Sequence, residues 1–142
     1  MGRPLAALLL ALQLTLALPA AAQDVSAADR AAIAGVIAQQ IDAFRRDDGD
    51  AAFGFAAPGI QSLFMTPERF MAMVRTGYQP VYRPREFRFA RLEADGDMLV
   101  QFVAIVGPDG APVVAAYAME RQTDGSWRIA GCMLLEPPGE ST

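Results

Sequence analysis

Residues 86–135, EFRFARLEADGDMLVQFVAIVGPDGAPVVAAYAMERQTDGSWRIAGCMLL, decide the fold. From Glu86 the hydrophobic period is two, with Phe87 and Phe89 on one side and Arg88 on the other, which is the pattern of a strand with one wet face. Three Asp-Gly pairs follow, at Asp95-Gly96, Asp109-Gly110 and Asp124-Gly125, each between apolar runs. Asp-Gly supplies the backbone freedom of a tight hairpin turn, so the segment reads as four consecutive antiparallel strands, a meander. Met98 to Val106 is apolar almost throughout apart from Gln101, which places it inside the sheet. Val113 to Arg121 and Trp127 to Leu135 are the strands that follow.

Upstream the period changes to that of helices. Ser26, with Asp29 three residues on, starts a helix of the capping-box kind, and Ile33, Ile37, Ile41 and Phe44 fall on one face of it as far as about Arg46. Arg45-Arg46-Asp47-Asp48-Gly49 should end it, with Gly49 as the left-handed stop. Asp50 is the expected cap of a short second helix carrying Phe53 and Phe55 and closed by Pro58-Gly59. Thr66-Pro67-Glu68 opens a further helix, with Met65 stapled onto Phe70 and Gly77 as the stop. Tyr78 to Arg85 holds two prolines and predicts an extended, edge-like segment. Helices first and sheet second make an α+β domain, with the N-terminal helices packed on one face of a curved four-stranded antiparallel meander.

The chain has 142 residues and a formal net charge of −4. Arg3, an apolar run from Leu5 to Leu18, then Pro19 and three alanines have the three-part form of a secretory signal. The expectation is a signal peptide over 1–22, a mature chain from Gln23, a single domain over 23–136 and a frayed tail over 137–142. A run of about 14 residues falls short of the roughly 20 that span a bilayer, so no transmembrane anchor is expected after cleavage, and the protein should be periplasmic or secreted. Every positive charge is an Arg and the balance is acidic, which argues against a nucleic-acid partner. His is absent, so Ser-His-Asp and Cys-His machinery cannot be built. With no metal-ligand motif either, no metal and no cofactor are expected. Cys132 is the single cysteine, to be buried, free or paired between chains.

The stretches Ala43-Phe44-Arg45-Arg46-Asp47-Asp48-Gly49, Ala56-Ala57-Pro58-Gly59-Ile60, Gly77-Tyr78-Gln79-Pro80-Val81-Tyr82-Arg83-Pro84 and Asp124-Gly125-Ser126-Trp127-Arg128-Ile129, with Gly131-Cys132, resemble an uncharacterised family of exported bacterial proteins, domain of unknown function 4864. The likeness covers roughly Ile33 to Leu135, and Tyr-x-Pro-Val-Tyr-Arg-Pro is its most distinctive part. It brings no assigned activity and therefore implies no catalytic residue. The order of helices before a bent meander also resembles the cystatin-like and nuclear-transport-factor-2-like cone folds. Such cones often enclose an apolar pocket and host isomerases, hydratases, ligand binders and assembly modules alike.

The candidate pocket residues are Tyr78, Tyr82, Arg83, Arg85, Asp47, Phe44 and Trp127. Tyr hydroxyls can donate to a developing oxyanion and an Arg fork can hold a carboxylate or phosphate; equally, the tyrosines can cover core and the arginines cap carboxylates on the first helix. Asp47, Asp48 and Asp50 could bind a hard cation or supply a base, or simply end one helix, cap the next and pair with Arg45 or Arg46. In a regular strand Cys132 would lie with Arg128, Ala130 and Leu134 on the face away from the helices, where it could meet its twin in a homodimer. Phe44, Phe53, Phe64, Phe70, Met73, Phe87, Phe102 and Trp127 read as core, some of them lining a pocket.

Together these readings favour a non-enzymatic binding or interaction module, its apolar pocket between helices and sheet taking a small apolar or anionic amphiphilic ligand with Arg83 or Arg85 near the mouth. The alternative is a small cofactor-free isomerase or hydratase, with Asp47 as base and Tyr78 or Tyr82 as donor. A third reading is a structural homodimer that scaffolds an envelope complex through the outer sheet face.

Overall fold

The computed structural model of the chain describes Gly2 and residues 25–139. The expected signal peptide, apart from Gly2, and residues 140–142 of the tail lie outside the described residues. The first helix, α1 (Ala27–Arg45), begins where Ser26 Oγ accepts from the Asp29 amide, and it buries Ile33, Ile37, Ile41 and Phe44. Gln40 is the one polar residue on that buried stripe, and its Nε2 donates to the Ala52 carbonyl at 3.1 Å.

The α1 terminus departs from expectation. The left-handed residue is Asp47, at φ 54°, a conformation that a short polar side chain tolerates. Gly49 instead opens α2 (Gly49–Gly54), where a Cβ would stand 3.0 Å from Met71 Cγ; its lack of a side chain lets α2 pack against the later helix. The cap of α2 is Asp48, whose Oδ1 accepts from the Ala51 amide, rather than Asp50. Pro58-Gly59 does not end a helix but begins one, α3 (Pro58–Phe64), as a proline at the first helical position can. Gln61 ties this exposed helix down by donating to the Phe53 and Ala56 carbonyls.

Thr66 caps α4 (Pro67–Gly77) as its sequence predicts. Met65 makes no staple: it is exposed and at φ 68°, with Arg69 donating to its sulfur. The Tyr78–Arg85 segment is not extended, because Pro80 falls in the first turn of a four-residue helix, α5 (Gln79–Tyr82), where its missing N–H costs nothing.

The sheet is β1 (Glu86–Asp95), β2 (Met98–Val106), β3 (Pro112–Arg121) and β4 (Trp127–Leu135), antiparallel in the order β1-β2-β3-β4. Gly96, Gly110 and Gly125 carry the positive φ of the three Asp-Gly turns. Two register shifts interrupt the ladders, one between Phe89 and Leu92 and one opposite Ala118/Met119, and each inserts an extra residue that bends its strand. The first frees backbone carbonyls, and the buried Gln101 Nε2 donates to those of Ala90 and Arg91 at 3.1 and 3.2 Å. This is why an otherwise apolar strand holds a Gln. Along the edge of β4, Ile129 exchanges hydrogen bonds with the Phe55–Ala57 segment, which covers part of an otherwise open strand edge.

Gln101→Leu should leave the bulge carbonyls unpaired and lower unfolding free energy by about 1–3 kcal/mol. Urea unfolding with an unchanged slope and a lower midpoint is the expected result; an unchanged midpoint would mean the bulge does not need the amide.

Candidate functional site

Between the helices and the inner sheet face lies a cavity of about 360 Å³. Its walls follow from the pattern of elements. Gln40 and Phe44 reach it from α1, Ile60, Leu63 and Phe64 from α3, and Phe70, Met73 and Val74 from α4. Tyr78 and Val81 close one side, and Tyr117, Ile129, Gly131 and Cys132 form the sheet floor. The mouth is at α3, since the lining residue Leu63 is 71% exposed. No charged side chain lines the cavity among the described residues.

The irregular register of β4 sets the floor. In a regular strand Cys132 would face away from the helices. The extra residue between Ile129 and Gly131 shifts the alternation, so that Cys132 pairs across the ladder with the buried Tyr117 and enters the cavity wall, while Met133 turns out and is exposed. The outer-face position that strand alternation gives Cys132, from which it could meet its twin, is therefore not the one it occupies. Burial pushes the Cys132 thiol up to about 12, so at neutral pH it is an unreactive thiol.

Two phenols share the floor. Tyr78 donates from its hydroxyl to the Cys132 carbonyl at 2.9 Å, and burial, with Cys132 nearby, raises it above the ordinary phenol range. Tyr117 is fully buried, is raised well above that range by burial, and has a hydroxyl with no hydrogen-bond partner among the described residues. A buried hydroxyl without a partner costs about 1–3 kcal/mol, so the fold tolerates it at some expense.

Of the seven candidate pocket residues, the structure brings Phe44 and Tyr78 to the cavity; Phe64, Phe70 and Met73, read from the sequence as core that could line a pocket, line it too. Asp47, Tyr82 and Arg83 form a separate exposed cluster with Arg75. The Tyr82 hydroxyl donates to Asp47 Oδ1, Arg83 Nη2 to Oδ2 at 3.0 Å, and the Arg83 guanidinium stacks 3.9 Å from the centre of the Tyr82 ring. The Tyr82 hydroxyl, then Arg83 and Arg75, hold the Asp47 carboxyl below the usual carboxylate range. Asp47 and Arg75 border a shallow polar cleft with Asp48, Asp50 and Glu68. Arg85 donates to the Pro108 carbonyl in the β2–β3 turn. Trp127 is core: its indole donates to Asp29 Oδ1 at 3.1 Å, and Arg121 reaches the same oxygen at 2.5 Å while lying over the Trp127 ring. That indole bond, with Ser26 and Arg121, holds Asp29 below its ordinary value.

The sequence reading did not single out Tyr117, Gln40 or α3. A signal existed for the first two: each is one polar residue on an otherwise apolar buried stripe, Gln40 among Ile33, Ile37 and Ile41, Tyr117 between Ala115 and Met119.

At pH 8 the native Cys132 should be alkylated by N-ethylmaleimide on the order of a hundred to a thousandfold more slowly than in urea, because a rise from 9.0 to about 12 removes the thiolate. By linkage, the raised thiol favours the fold below pH 9, and that contribution is lost as pH rises from 9 toward 12, with Tyr78 and Tyr117 acting in the same direction. Alkylation as fast in the native protein as in urea would contradict the burial of Cys132.

No curated protein matches the chain. Among solved structures the chain is similar to an NTF-2 like protein of unknown function from Burkholderia xenovorans LB400, at 17% sequence identity and a TM-score of 0.46, over 79% of this chain and 89% of that one. The model of the family described as domain of unknown function DUF4864 matches residues 26–142. That span takes in the five helices and four strands of the described residues, and the chain belongs to the DUF4864 family.

Proposed function

We propose that the domain is a non-enzymatic binding protein for small apolar molecules, exported by a signal peptide at residues 1–22 and working in the periplasm or outside the cell. The observation that carries the reading is the cavity: about 360 Å³, within the size range of ligand pockets, walled mainly by aliphatic and aromatic side chains, with no charged group in its lining among the described residues. An anionic amphiphile is the less favoured ligand. Arg83 is engaged by Asp47 and by the Phe44 carbonyl, and Arg85 by Pro108, so neither arginine stands at the mouth to meet a carboxylate. The isomerase or hydratase alternative fares no better. Asp47, its proposed base, lies outside the cavity lining, half exposed and held in its ionised form.

A second reading, compatible with the first, is a homodimer through the outer sheet face. Val100, Phe102, Ala104 and Val106 of β2, Val114, Ala116 and Ala118 of β3, and the exposed Met133 and Leu135 of β4 leave that face apolar and uncovered by any described helix. Its rim carries both signs, with Arg88 and Glu86 on β1 and Glu120 opposite Arg128 across β3–β4. A mixed rim can match itself about a two-fold axis, which makes a second copy of the chain the fitting partner. Sedimentation velocity should then show a dimer that Met133→Asp converts to monomer; a monomer at all concentrations would end this reading.

For the cavity, the uncharged dye 1-aminoanthracene should bind saturably with a rise in fluorescence, and Met73→Trp, which fills the space from α4, should weaken it by about tenfold or more. Failure of the dye to saturate, or equal binding by the filled variant, would contradict the assignment.

A further inference from the structure

The polar side chains of the cavity lining differ in which end they present to it. Tyr78 donates its hydroxyl proton to the Cys132 carbonyl, so what its oxygen has left is lone pairs. The Tyr117 hydroxyl is sealed among its neighbours, with no surface open to water or ligand. Gln40 is different from both. Its Nε2 donates to the Ala52 carbonyl at 3.1 Å, and a carbonyl only accepts, so the amide has one orientation and Oε1 is the oxygen left over. That is the one hydrogen bond the Gln40 side chain makes among the described residues, and no group there donates to Oε1. Nor is Oε1 sealed, since the Tyr117 hydroxyl is the one unpaired and fully enclosed side-chain polar atom among the described residues. Gln40 is only 3% exposed and lines the cavity, so the surface that Oε1 keeps opens inward.

We propose that the cavity selects uncharged apolar molecules carrying a hydroxyl group, an alcohol or a phenol, and that Gln40 Oε1 is the acceptor that takes the hydroxyl proton. The proposal rests on the apolar-ligand reading above and adds the chemistry of the ligand's polar end. An acceptor closed to bulk water gains more from a donor than an exposed one does, because water does not compete for it. A hydroxyl can donate to Oε1 and still accept, whereas a ketone has no proton to give and leaves Oε1 unpaired beside a second oxygen. A carboxylate or an ammonium group would lose its hydration in a lining that holds no counter-ion among the described residues. Apolar walls then fix the body of the ligand, and one hydrogen bond fixes its orientation.

The test measures dissociation constants for three molecules of nearly one shape, 1-(2-naphthyl)ethanol, 2-acetylnaphthalene and 2-isopropylnaphthalene. Each displaces 1-aminoanthracene, whose own affinity is first titrated on the full chain and on Gln40→Met. The alcohol and the ketone are similarly polar, so the difference between them isolates the donated proton. On the full chain the alcohol should bind about tenfold more tightly than the ketone. In Gln40→Met, which keeps the reach of the side chain without its amide, the two should bind alike while 2-isopropylnaphthalene binds as it does to the parent. Equal binding of alcohol and ketone by the full chain, tighter binding of the ketone, or an alcohol preference that survives in Gln40→Met would each overturn the role of Gln40 while leaving an apolar pocket in place. The ranking on the full chain needs no variant, so it decides the matter even where loss of the bond to Ala52 disturbs the fold of Gln40→Met. If neither 1-aminoanthracene nor 2-isopropylnaphthalene binds the full chain, the pocket reading falls and this proposal with it.

Discussion

The ring of Phe70 is where the helical layer is joined. It stands 6.2 Å from Phe44 of α1, 5.3 Å from Phe53 of α2 and 5.7 Å from Phe64 of α3, so one side chain of α4 touches an aromatic on each of the other three longer helices. Tilted and edge-on aromatic pairs contribute about 0.5–1.5 kcal/mol each beyond the area they bury. Bulky rings meeting one another hold the helices as a unit over the sheet. Phe44, Phe64 and Phe70 then serve both as cluster and as cavity wall, which ties the existence of the cavity to the packing of the helices rather than to any separate device.

The distribution of charge follows from the same arrangement. With the interior occupied mostly by rings and aliphatic chains, the ion pairs among the described residues sit at or near the surface, where they are worth little for stability and much for geometry. Asp29 takes both the Trp127 indole and Arg121, tying the start of α1 to the end of β3 and the start of β4. Asp47 gathers Tyr82, Arg83 and Arg75, tying the end of α1 to α4 and α5. Both carboxylates are therefore pins that fix where α1 begins and ends, and the chemistry that remains inside is that of neutral groups.

Local signals in the sequence were sufficient for most of the fold. The Asp-Gly turns, the period-two runs and the caps at Ser26 and Thr66 depend on residues within a few positions of each other, and all of them form. The departures share a cause, namely contacts between residues distant in the chain. Gly49 is a glycine because of Met71, and α2 stops at Gly54, short of Phe55, where the Phe55–Ala57 segment bonds along Ile129. Cys132 faces the cavity because the β3–β4 ladder carries an extra residue that no strand periodicity announces. The candidate site suffered most from this. Tyr82, Arg83 and Asp47 caught the eye as residues that local structure did not require, and what requires them is each other. Tyr117, masked by the regular alternation of its strand, carries the one buried hydroxyl that pairs with nothing in the described residues.

Native mass spectrometry of the full chain, recovered from expressing cells without reductant, tests the central claim most directly. Binding of a small apolar molecule in the cavity predicts a polypeptide with its Cys132 thiol unlinked and a non-covalent extra mass that organic solvent releases. A bare polypeptide mass, persisting after the protein has been equilibrated with 1-aminoanthracene, would contradict it.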